Sequence, residues 1–492
     1  MKLSTLLQQA IPFYTAVHGE VNVTGISMDS RKVSEGDLFV CIKGLQHDSH
    51  LYAADAEANG AVAIIAERPL ASTLPVIVVD DSRTALAQLA DAFFQSPTNQ
   101  LHLTGVTGTN GKTTTTYLID AIYTHAGIRT GTLGTTGLKV GDSLQALPNT
   151  TPESLTLQQA FRDMVDQQVT AGIMEVSSHA LVTGRTRGCQ FDVAIFTNLT
   201  QDHLDYHQTL TAYQDAKRLL FASLPAKTKT GKPTFAILNV DDKASAGFRD
   251  VTQGLVVTYG LENEADFSAS QLVLKSKGTT FNLKTPDGFF AMTLPLAGKF
   301  NVYNALAAAA ACFVNGIDSR TIAEGLENVP VIPGRFELVN AGQKFPVIVD
   351  YAHTPDSLKN VLDTAKELTE GRVIVVCGCG GDRDRTKRPI MAKNAVDGAD
   401  YAIFTNDNPR SESPEQIFTD MTQSFKGETA FEVISDRREA ITKAIHMATD
   451  SDLVLIAGKG HETYQIIGKD TFHFDDREEA TMAIQTRDQN EN

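Results

Sequence analysis

The architecture of this chain is indicated by one continuous stretch, Leu101-His102-Leu103-Thr104-Gly105-Val106-Thr107-Gly108-Thr109-Asn110-Gly111-Lys112-Thr113. Its first six residues have the composition of a short buried strand, and a glycine- and threonine-rich turn follows directly. Residues 114–126 then show the apolar spacing of a helix, through Leu118, Ile119 and Ile122. The order of strand, glycine-rich turn and helix predicts a phosphate-binding loop in an α/β fold.

The residue types of this loop suit a nucleoside triphosphate. Gly108 and Gly111 allow backbone N–H groups to approach phosphate oxygens, and Lys112 can reach the terminal phosphates. The Thr113 hydroxyl can bind Mg²⁺ at the positive end of the helix. Because Val106 stands where the common phosphate-loop pattern has glycine, the loop is a variant form. The alternative is a chance turn of glycine and threonine.

Composition sets the class of the protein. A chain of 492 residues predicts about three domains. A formal charge of −16 argues against a general nucleic-acid or membrane-surface binder. Five cysteines without paired zinc spacing predict a reducing compartment. We expect a cytoplasmic protein, with neither signal peptide nor membrane anchor, that is a monomer.

Apolar runs divide the chain into three predicted α/β domains. Residues 1–98 contain strands at 38–40 and 76–79 and a helix at 51–59, and end in a linker-like segment at 95–99. Residues 99–331 contain the phosphate loop and strands at 193–196 and 235–238, which predict a mainly parallel sheet. Residues 332–492 alternate strands (347–349, 373–376, 401–404 and 453–456) with helices, which predicts a Rossmann-like domain without a dinucleotide fingerprint.

Six separated motifs occur in a specific order. They are Gly108-Thr109-Asn110-Gly111-Lys112-Thr113, Glu175-Val176-Ser177-Ser178-His179, Asn198 with Asp202-His203-Leu204-Asp205, Gly298-Lys299-Phe300-Asn301-Val302-Tyr303-Asn304, Pro333-Gly334-Arg335, and Asp350-Tyr351-Ala352-His353-Thr354-Pro355. With this set, nearly the whole chain resembles the Mur ligase family of peptidoglycan biosynthesis. The resemblance implies a first domain that binds UDP, a second that binds ATP and a third that binds the incoming amino acid.

The resemblance also implies a reaction. ATP would phosphorylate the terminal carboxylate of UDP-N-acetylmuramoyl-L-alanyl-D-glutamate, and an amine would attack the acyl phosphate to form an amide. Lys112 would neutralise phosphate charge, Thr113 and Glu175 would lie near one Mg²⁺, and His203 near a second. Lys217 matches the lysine that carries a carbamate in this family. Taken alone, these side chains could be a surface carboxylate, a structural histidine and a solvated helix lysine.

Further contacts follow from the same resemblance. In the ATP site, Asn301 and Asn304 would lie near adenine, and Asp350 and His353 near the ribose. Arg335 would face the phosphates. The phosphate loop would contribute Gly108, Thr109, Asn110, Gly111, Lys112, Thr113 and Thr114. The UDP-substrate site would comprise Ser30, Asn149, Thr150, Thr151, Ser177 and Arg185. Residues of these types are also common in ordinary turns.

The stretch Asp407-Asn408-Pro409-Arg410 predicts the acceptor. Meso-diaminopimelate carries one more carboxylate than lysine, and a planar guanidinium can bind it through two parallel hydrogen bonds. By resemblance, these four residues act with Arg383, Gly458 and Glu462, the last facing the distal ammonium. Alternatively, Arg383 belongs to a solvated charge run at 382–388, and Glu462 is a helix-terminal charge.

Other functions stay open at this point. An L-lysine-adding ligase of the same family usually lacks arginine at the position of Arg410. A phosphate-loop NTPase that acts as a regulator would turn over nucleotide without an amino acid. Folylpolyglutamate synthases share the ATP loop and the ligation chemistry, but the residues at 407–410 and the UDP-type first domain argue against them.

Overall fold

A computed structural model describes residues 1–14, 20–44, 47–141, 143–275, 278–425 and 430–491. The N-terminal domain is a four-stranded parallel sheet in the order β1-β2-β3-β4 with three helices. Its strands are β1 (Gly25–Ser27), β2 (Asp37–Val40), β3 (Ala63–Ala66) and β4 (Val76–Val78), and its helices are α1 (Leu3–Ala10), α2 (Ala53–Ala58) and α3 (Ser82–Phe93). The helix predicted at 51–59 is shorter, because a 3-10 turn occupies Ser49–Tyr52.

The central domain contains an eight-stranded sheet in the order β12-β11-β10-β5-β9-β6-β7-β8. Its strands are β5 (His102–Thr107), β6 (Thr130–Gly134), β7 (Gly137–Val140), β8 (Ser143–Gln145), β9 (Ala171–Glu175), β10 (Val193–Phe196), β11 (Phe235–Asn239) and β12 (Leu255–Tyr259). Pairing is parallel from β12 to β6, whereas β7 and β8 pair antiparallel. The mainly parallel sheet predicted from the sequence is therefore confirmed.

Helices cover both faces of this sheet. They are α4 (Lys112–His125), α5 (Ser154–Asp166), α6 (Ser178–Val182), α7 (Leu204–His207), α8 (Leu210–Ala222), α9 (Ser245–Arg249), α10 (Lys299–Val314) and α11 (Ser319–Glu327). A three-stranded antiparallel sheet, β13 (Ser268–Lys275), β14 (Gly278–Thr285) and β15 (Gly288–Leu294), precedes α10. The buried alanines at 307–311 of α10 allow this helix to pack closely against α4. Helix α4 begins at Lys112, two residues before the predicted start, so Lys112 and Thr113 lie in its first turn.

The C-terminal domain has a six-stranded sheet in the order β16-β17-β21-β18-β19-β20, parallel except for β16. Its strands are β16 (Glu337–Val339), β17 (Val347–Asp350), β18 (Val373–Cys377), β19 (Tyr401–Phe404), β20 (Phe431–Val433) and β21 (Leu453–Ala457), followed by the hairpin β22 (Tyr464–Ile467) and β23 (Asp470–His473). Its helices are α12 (Pro355–Leu368), α13 (Lys387–Gly398), α14 (Pro414–Thr422), α15 (Arg437–Met447) and α16 (Asp476–Glu491).

The buried strands explain why the site residues converge. Strands β5, β9, β10 and β11 are parallel, so their carboxyl ends share one edge of the central sheet. The carboxyl ends of β17, β18, β19 and β21 likewise share one edge of the C-terminal sheet. Such edges are where ligands bind in open α/β sheets. Across the described ranges, no helix is both long and apolar enough to cross a membrane.

Candidate active site

The phosphate loop is held in place by Asn198, which follows β10. The Thr109 N–H donates to the Asn198 main-chain oxygen over 2.8 Å, and the Asn110 N–H donates to its Oδ1 over 2.9 Å. Gly108 has φ +152° and Gly111 has φ +86°, and an added Cβ would overlap Thr197 Oγ1 or Asn304 Oδ1 respectively. These glycines are therefore required by backbone conformation and by close packing.

Two lysines, fully buried Lys217 and half-buried Lys112, converge on one carbonyl of the loop. Lys112 Nζ donates to Gly108 O over 2.9 Å and to Thr109 O over 2.8 Å, and Lys217 Nζ donates to the same Gly108 O over 2.8 Å. Lys217 Nζ also lies 4.3 Å from the centre of the Tyr213 ring. Burial lowers the pKa of both amines, and the charge of Lys112 lowers the pKa of Lys217 further. The protonation equilibrium of the Lys217 amine is therefore shifted towards its neutral form.

Glu175, at the end of β9, lies beside the first turn of α4. Its Oε1 accepts from Thr113 Oγ1 over 3.0 Å and from the Thr135 N–H over 2.9 Å, while its Oε2 accepts from Thr135 Oγ1 over 3.0 Å. The Arg335 guanidinium donates to Thr113 Oγ1 over 3.0 Å. A carboxylate beside a hydroxyl is an oxygen donor pair of the type that Mg²⁺ uses together with phosphate oxygens. Thr113 and Glu175 therefore fit a magnesium ion, although the described residues contain no preformed cluster of three or more His, Cys, Asp or Glu side chains for a metal.

His203 lines the same cavity as Thr113 and Glu175. Its ring packs edge-on against His179 with centroids 4.9 Å apart, and its Nε2 lies 3.3 Å from Asp202 Oδ2. Burial lowers the pKa of His203 to about 3, against the opposing effect of Asp202. A neutral imidazole of this kind has a lone pair available to a ligand.

The residues predicted for adenine lie on α10. Asn304 lines the cavity and donates to Asn301 Oδ1 over 3.2 Å. Asn301 is almost fully buried and donates to Ala297 O over 2.8 Å. It therefore holds the Asn304 side chain in place from the buried side of the helix.

Asp350 is buried and anchors the start of the C-terminal domain. Its carboxylate accepts from the Phe336 N–H over 2.7 Å and the Ala352 N–H over 2.8 Å. Burial raises its pKa to about 6, although nearby Arg335 opposes the change. Asp350 therefore has a visible structural role, and its contact with the ribose stays a prediction. His353 lies three residues on, with Nδ1 2.9 Å from Tyr351 O and Nε2 4.0 Å from Asp202 Oδ2.

The C-terminal domain contacts the phosphate-loop edge directly. Besides the bond between Arg335 and Thr113, Asn110 Nδ2 donates to Asp356 Oδ2 over 3.1 Å. Lys387 Nζ lies 3.8 Å from Asp202 Oδ1. Beside these contacts lies a cavity of about 610 Å³, which is lined by residues of both domains. This volume suits a nucleotide-sized ligand.

The residues predicted for the UDP substrate fall into two groups. Thr151 Oγ1 donates to Glu175 O over 2.8 Å and accepts from the Ser177 N–H over 3.0 Å, and Arg185 donates to Thr151 O over 3.1 Å. Thr150 and exposed Asn149 precede them, and Thr150 Oγ1 is 3.2 Å from Thr135 Oγ1. Ser30 lies apart in the N-terminal domain, where its main-chain oxygen accepts from Asn59.

The residues predicted for the acceptor meet in the C-terminal domain. Asn408 Nδ2 donates to Glu462 Oε2 over 2.9 Å. Asp407 is buried, and its Oδ2 would lie 2.9 Å from a Cβ added to Gly458. Burial alone would raise the pKa of Asp407, but Lys459 and Arg437 outweigh burial and the pKa is lowered. Asp407 is therefore an anion in the fold.

The guanidinium of Arg410 is bonded to backbone carbonyls of its own domain. The residue has φ +52°, and its Nη1 donates to Gly381 O over 2.8 Å and to Asn408 O over 3.4 Å. It is half-buried and has these backbone partners before any acceptor binds. Pro409 carries the turn, and its carbonyl accepts from the Glu412 N–H.

The charge run at 382–388 is only partly solvated. Arg383 is exposed and donates to Asp382 O over 3.0 Å. Arg388 is fully buried and pairs with Glu412 and Asp420, each over 2.8 Å. The alternative of a solvated run thus holds for Arg383 but fails for Arg388, since a buried arginine needs carboxylate partners.

Several residues of the site were missed by sequence reasoning. Thr135, Asp202 and Lys459 contact predicted site residues, and Lys387 lies 3.8 Å from Asp202. Asp202 lies inside a quoted motif, and Lys459 lies between the predicted residues Gly458 and Glu462, so their positions in the chain were a usable signal. Thr135 and Lys387 act through contacts between distant segments, for which the sequence holds no local signal.

Comparisons with known proteins agree over nearly the whole chain. Residues 22–94 match the model described as Mur ligase family, catalytic domain; residues 106–312 match the Mur ligase middle domain; and residues 334–460 match the Mur ligase, glutamate ligase domain. A protein of Geobacillus thermodenitrificans named UDP-N-acetylmuramoyl-L-alanyl-D-glutamate–2,6-diaminopimelate ligase is 53% identical over 488 residues, which cover 99% of this chain and 100% of the relative. The protein of the same name from Bacillus cereus is 52% identical over 491 residues, 100% of both chains.

Two solved structures illustrate the fold. A structure of UDP-N-acetylmuramoyl-L-alanyl-D-glutamate–2,6-diaminopimelate ligase is 39% identical, covers 95% of both chains and has a TM-score of 0.68. The MurF ligase of Thermotoga maritima in complex with ADP is 18% identical, covers 95% of this chain and 98% of its own, and has a TM-score of 0.66. The predicted three-domain α/β class is confirmed.

Proposed function

The chain belongs to the Mur ligase family, and from this premise we propose that it uses ATP to add meso-diaminopimelate to UDP-N-acetylmuramoyl-L-alanyl-D-glutamate in peptidoglycan precursor synthesis. The observation that carries the proposal is one site built from two domains. The phosphate loop, Glu175 and Lys217 line a cavity that Arg335 of the C-terminal domain helps to close, and Asp407, Asn408 and Glu462 cluster in that same domain.

The residues divide the chemistry between two steps. In the first, the γ-phosphoryl group of ATP passes to an oxygen of the substrate carboxylate and ADP is the leaving group. Lys112 and Arg335 are placed to neutralise the transferred charge, which is the main requirement of phosphoryl transfer. Bound Mg²⁺ would add to this neutralisation, with Thr113 and Glu175 as its protein ligands and His203 near a second ion.

In the second step, the acceptor amine attacks the acyl carbon, loses a proton, and phosphate leaves as the amide forms. The acyl phosphate must be protected from water, because hydrolysis would waste ATP. The contacts of Arg335 with Thr113 and of Asp356 with Asn110 join the two domains across the cavity. We infer that ATP binding strengthens this closure, since the predicted ATP residues come from both domains.

Lys217 is proposed to carry a carbamate. Its amine is buried and its lowered pKa favours the neutral nucleophile, which can add to CO₂ with loss of a proton. The product would be an anion beside the phosphate loop, where it could join the metal ligands. Without this change, the residue would place a second amine next to that of Lys112.

We also propose domain boundaries at 1–98, 99–331 and 332–492, and the three matched segments fall inside them. The cytoplasm is the proposed compartment, which the five free cysteines support. We propose a monomer that binds small-molecule substrates and neither nucleic acid nor membranes.

The test is product formation from UDP-N-acetylmuramoyl-L-Ala-D-Glu, ATP and Mg²⁺, with meso-diaminopimelate and L-lysine in competition, read by mass. A diaminopimelate tripeptide is expected, and Lys112→Met should abolish it while the protein stays folded. A lysine product would instead favour the lysine-adding ligase. ATP turnover without either acceptor would favour a regulatory NTPase.

A further inference from the structure

The acceptor cluster contains a buried cation with no assigned role. Lys459 lies in the turn between β21 and β22 and is fully buried. Its Nζ lies 3.2 Å from Glu462 Oε2 and 3.3 Å from Asn408 Oδ1. A buried ammonium is costly unless it is paired, so this position is specified by its partners.

The partners of Lys459 are tied to each other as well. Asn408 Nδ2 donates to Glu462 Oε2, and Asn408 Oδ1 also accepts from the Ile466 N–H over 2.9 Å. The Asn408 side chain therefore has partners at both of its polar atoms. Lys459 completes a closed network that fixes the orientation of the Glu462 carboxylate.

The surrounding charges are mixed. Among cations, Lys459 has the largest influence on the buried Asp407 carboxylate, with Arg437 and Arg410 contributing less. Glu462 is itself half-buried, and burial together with Asp407 raises its pKa. The other charged side chains around this cluster are Asp382, Arg383 and Arg410.

We propose that Lys459 is a specificity-determining positioning residue: it orients Glu462 and supplies a positive charge that favours an acceptor with two carboxylates over one with a single carboxylate. This inference rests on the proposed function and deepens it. Diaminopimelate and lysine share the distal ammonium and differ by one carboxylate. Loss of one positive charge therefore disfavours diaminopimelate relative to lysine, whatever the sum of the other charges.

The experiment measures the ratio of kcat/KM for diaminopimelate to kcat/KM for L-lysine in the full-length enzyme. Lys459→Met should lower this ratio about tenfold, the size expected for one unit charge several ångströms from a carboxylate in a partly screened site. Lys459→Arg keeps the charge and should stay within about threefold of wild type. ADP affinity and the melting temperature report whether Lys459→Met is folded.

The double variant Lys459→Met/Glu462→Gln removes one charge of each sign. If charge sets selectivity, its ratio should return close to that of wild type, even though both acceptors bind more weakly. A role confined to folding would lower kcat/KM for both acceptors alike and leave the ratio unchanged in Lys459→Met, which would overturn the proposal. The proposal would also be overturned if the ratio of diaminopimelate to lysine kcat/KM fell in the double variant. This outcome can be measured even where the single variant fails to fold. Failure of wild type to form either product would instead reject the proposed function.

Discussion

At the scale of single residues, Lys217 has the environment most unlike that of an ordinary lysine. Its amine is buried against Gly108 O and the ring of Tyr213. If it carries a carbamate, Lys217→Ala should lower kcat at least about 100-fold, because a metal-binding anion is lost. A short carboxylate such as acetate or propionate should restore part of the rate. The measurement is the steady-state rate with and without added carboxylate.

Lys229→Ala is the matched control, because Lys229 is exposed and should tolerate truncation. Its rate should stay near that of wild type and should not respond to added carboxylate. Full activity of Lys217→Ala without any carboxylate would rule out the carbamate.

Arg410 lies at the point where acceptor choice is proposed. Arg410→Ala should raise KM for diaminopimelate roughly 30-fold or more, since removal of a paired charge costs about 2–5 kcal/mol. ADP affinity should change by less than about threefold, because the phosphate loop lies in another domain. Arg410→Lys keeps the charge but loses the planar guanidinium, so its KM for diaminopimelate should lie between those of wild type and Arg410→Ala. Initial rates give KM for diaminopimelate, and calorimetry gives the affinity for ADP. If acceptor use and ADP affinity fell equally, the variant would be misfolded.

Sequence reasoning located the phosphate loop because the motif is continuous and its geometry is local. Lys459 was harder to assign, since a lysine between two glycines has the composition of a solvated turn, whereas the fold buries it against Asn408 and Glu462. The partial satisfaction of Arg410 by Gly381 O was equally hidden, because it depends on a contact 29 positions away. Contacts of this type follow from strand order rather than from neighbouring residues.

At the scale of elements, one buried ion pair fixes two strand ends. Arg437, at the start of α15, bonds Asp476 through two contacts of 2.7 Å, and both side chains are fully buried. The same guanidinium donates to Ala457 O over 3.0 Å and to Asn406 O over 3.4 Å. Those carbonyls immediately precede Gly458 and Asp407. The pair therefore links the segments that follow β19 and β21, from which the acceptor residues Asp407 and Gly458 come.

We expect Arg437→Met to destabilise the protein by about 3–5 kcal/mol, because Asp476 is left buried without its partner. The double variant Arg437→Met/Asp476→Leu should be less destabilised than Arg437→Met alone. Chemical denaturation measures both. Lys344→Met is the control: its ion pair with Asp450 is exposed, so the change should be below about 1 kcal/mol. Equal losses for the single and double variants would contradict this account.

The buried strands were predictable as elements because each is a short apolar run bounded by turns. The start of α4 was placed two residues late, since Lys112 and Thr113 are polar and lack apolar periodicity, although backbone geometry includes them in the helix. The helix predicted at 51–59 was too long for a related reason: its first residues form a 3-10 turn begun by Asp48, whose side chain accepts from the His50 N–H. Element ends thus depend on local hydrogen bonds that an apolar pattern does not reveal.

At the scale of the whole molecule, the acceptor and phosphate sites act together only if the central and C-terminal domains stay in contact. His353 lies in this contact, near Asp202 of the central domain and Lys387 of its own domain. Burial lowers its pKa to about 4, and Lys387 adds to the effect while Asp202 opposes it. The folded protein therefore holds His353 neutral.

This histidine links domain contact to pH. The pKa of His353 in the unfolded chain is about 6.5, above the folded value, so the unfolded state takes up a proton first as pH falls. Its contribution to stability is complete above about pH 6.5 and is lost progressively between about pH 6.5 and pH 4. The melting temperature should consequently fall between pH 7 and pH 5, and it should fall less in His353→Gln, which cannot gain the charge.

His473 provides the opposite case for comparison. It is exposed, and its hydrogen bond with Glu478 raises its pKa, so any stability it contributes is present at low pH and lost as pH rises. His473→Gln should therefore not reduce the acid-induced fall in melting temperature. If His353→Gln and wild type lost the same number of degrees between pH 7 and pH 5, His353 would not be held neutral by the fold.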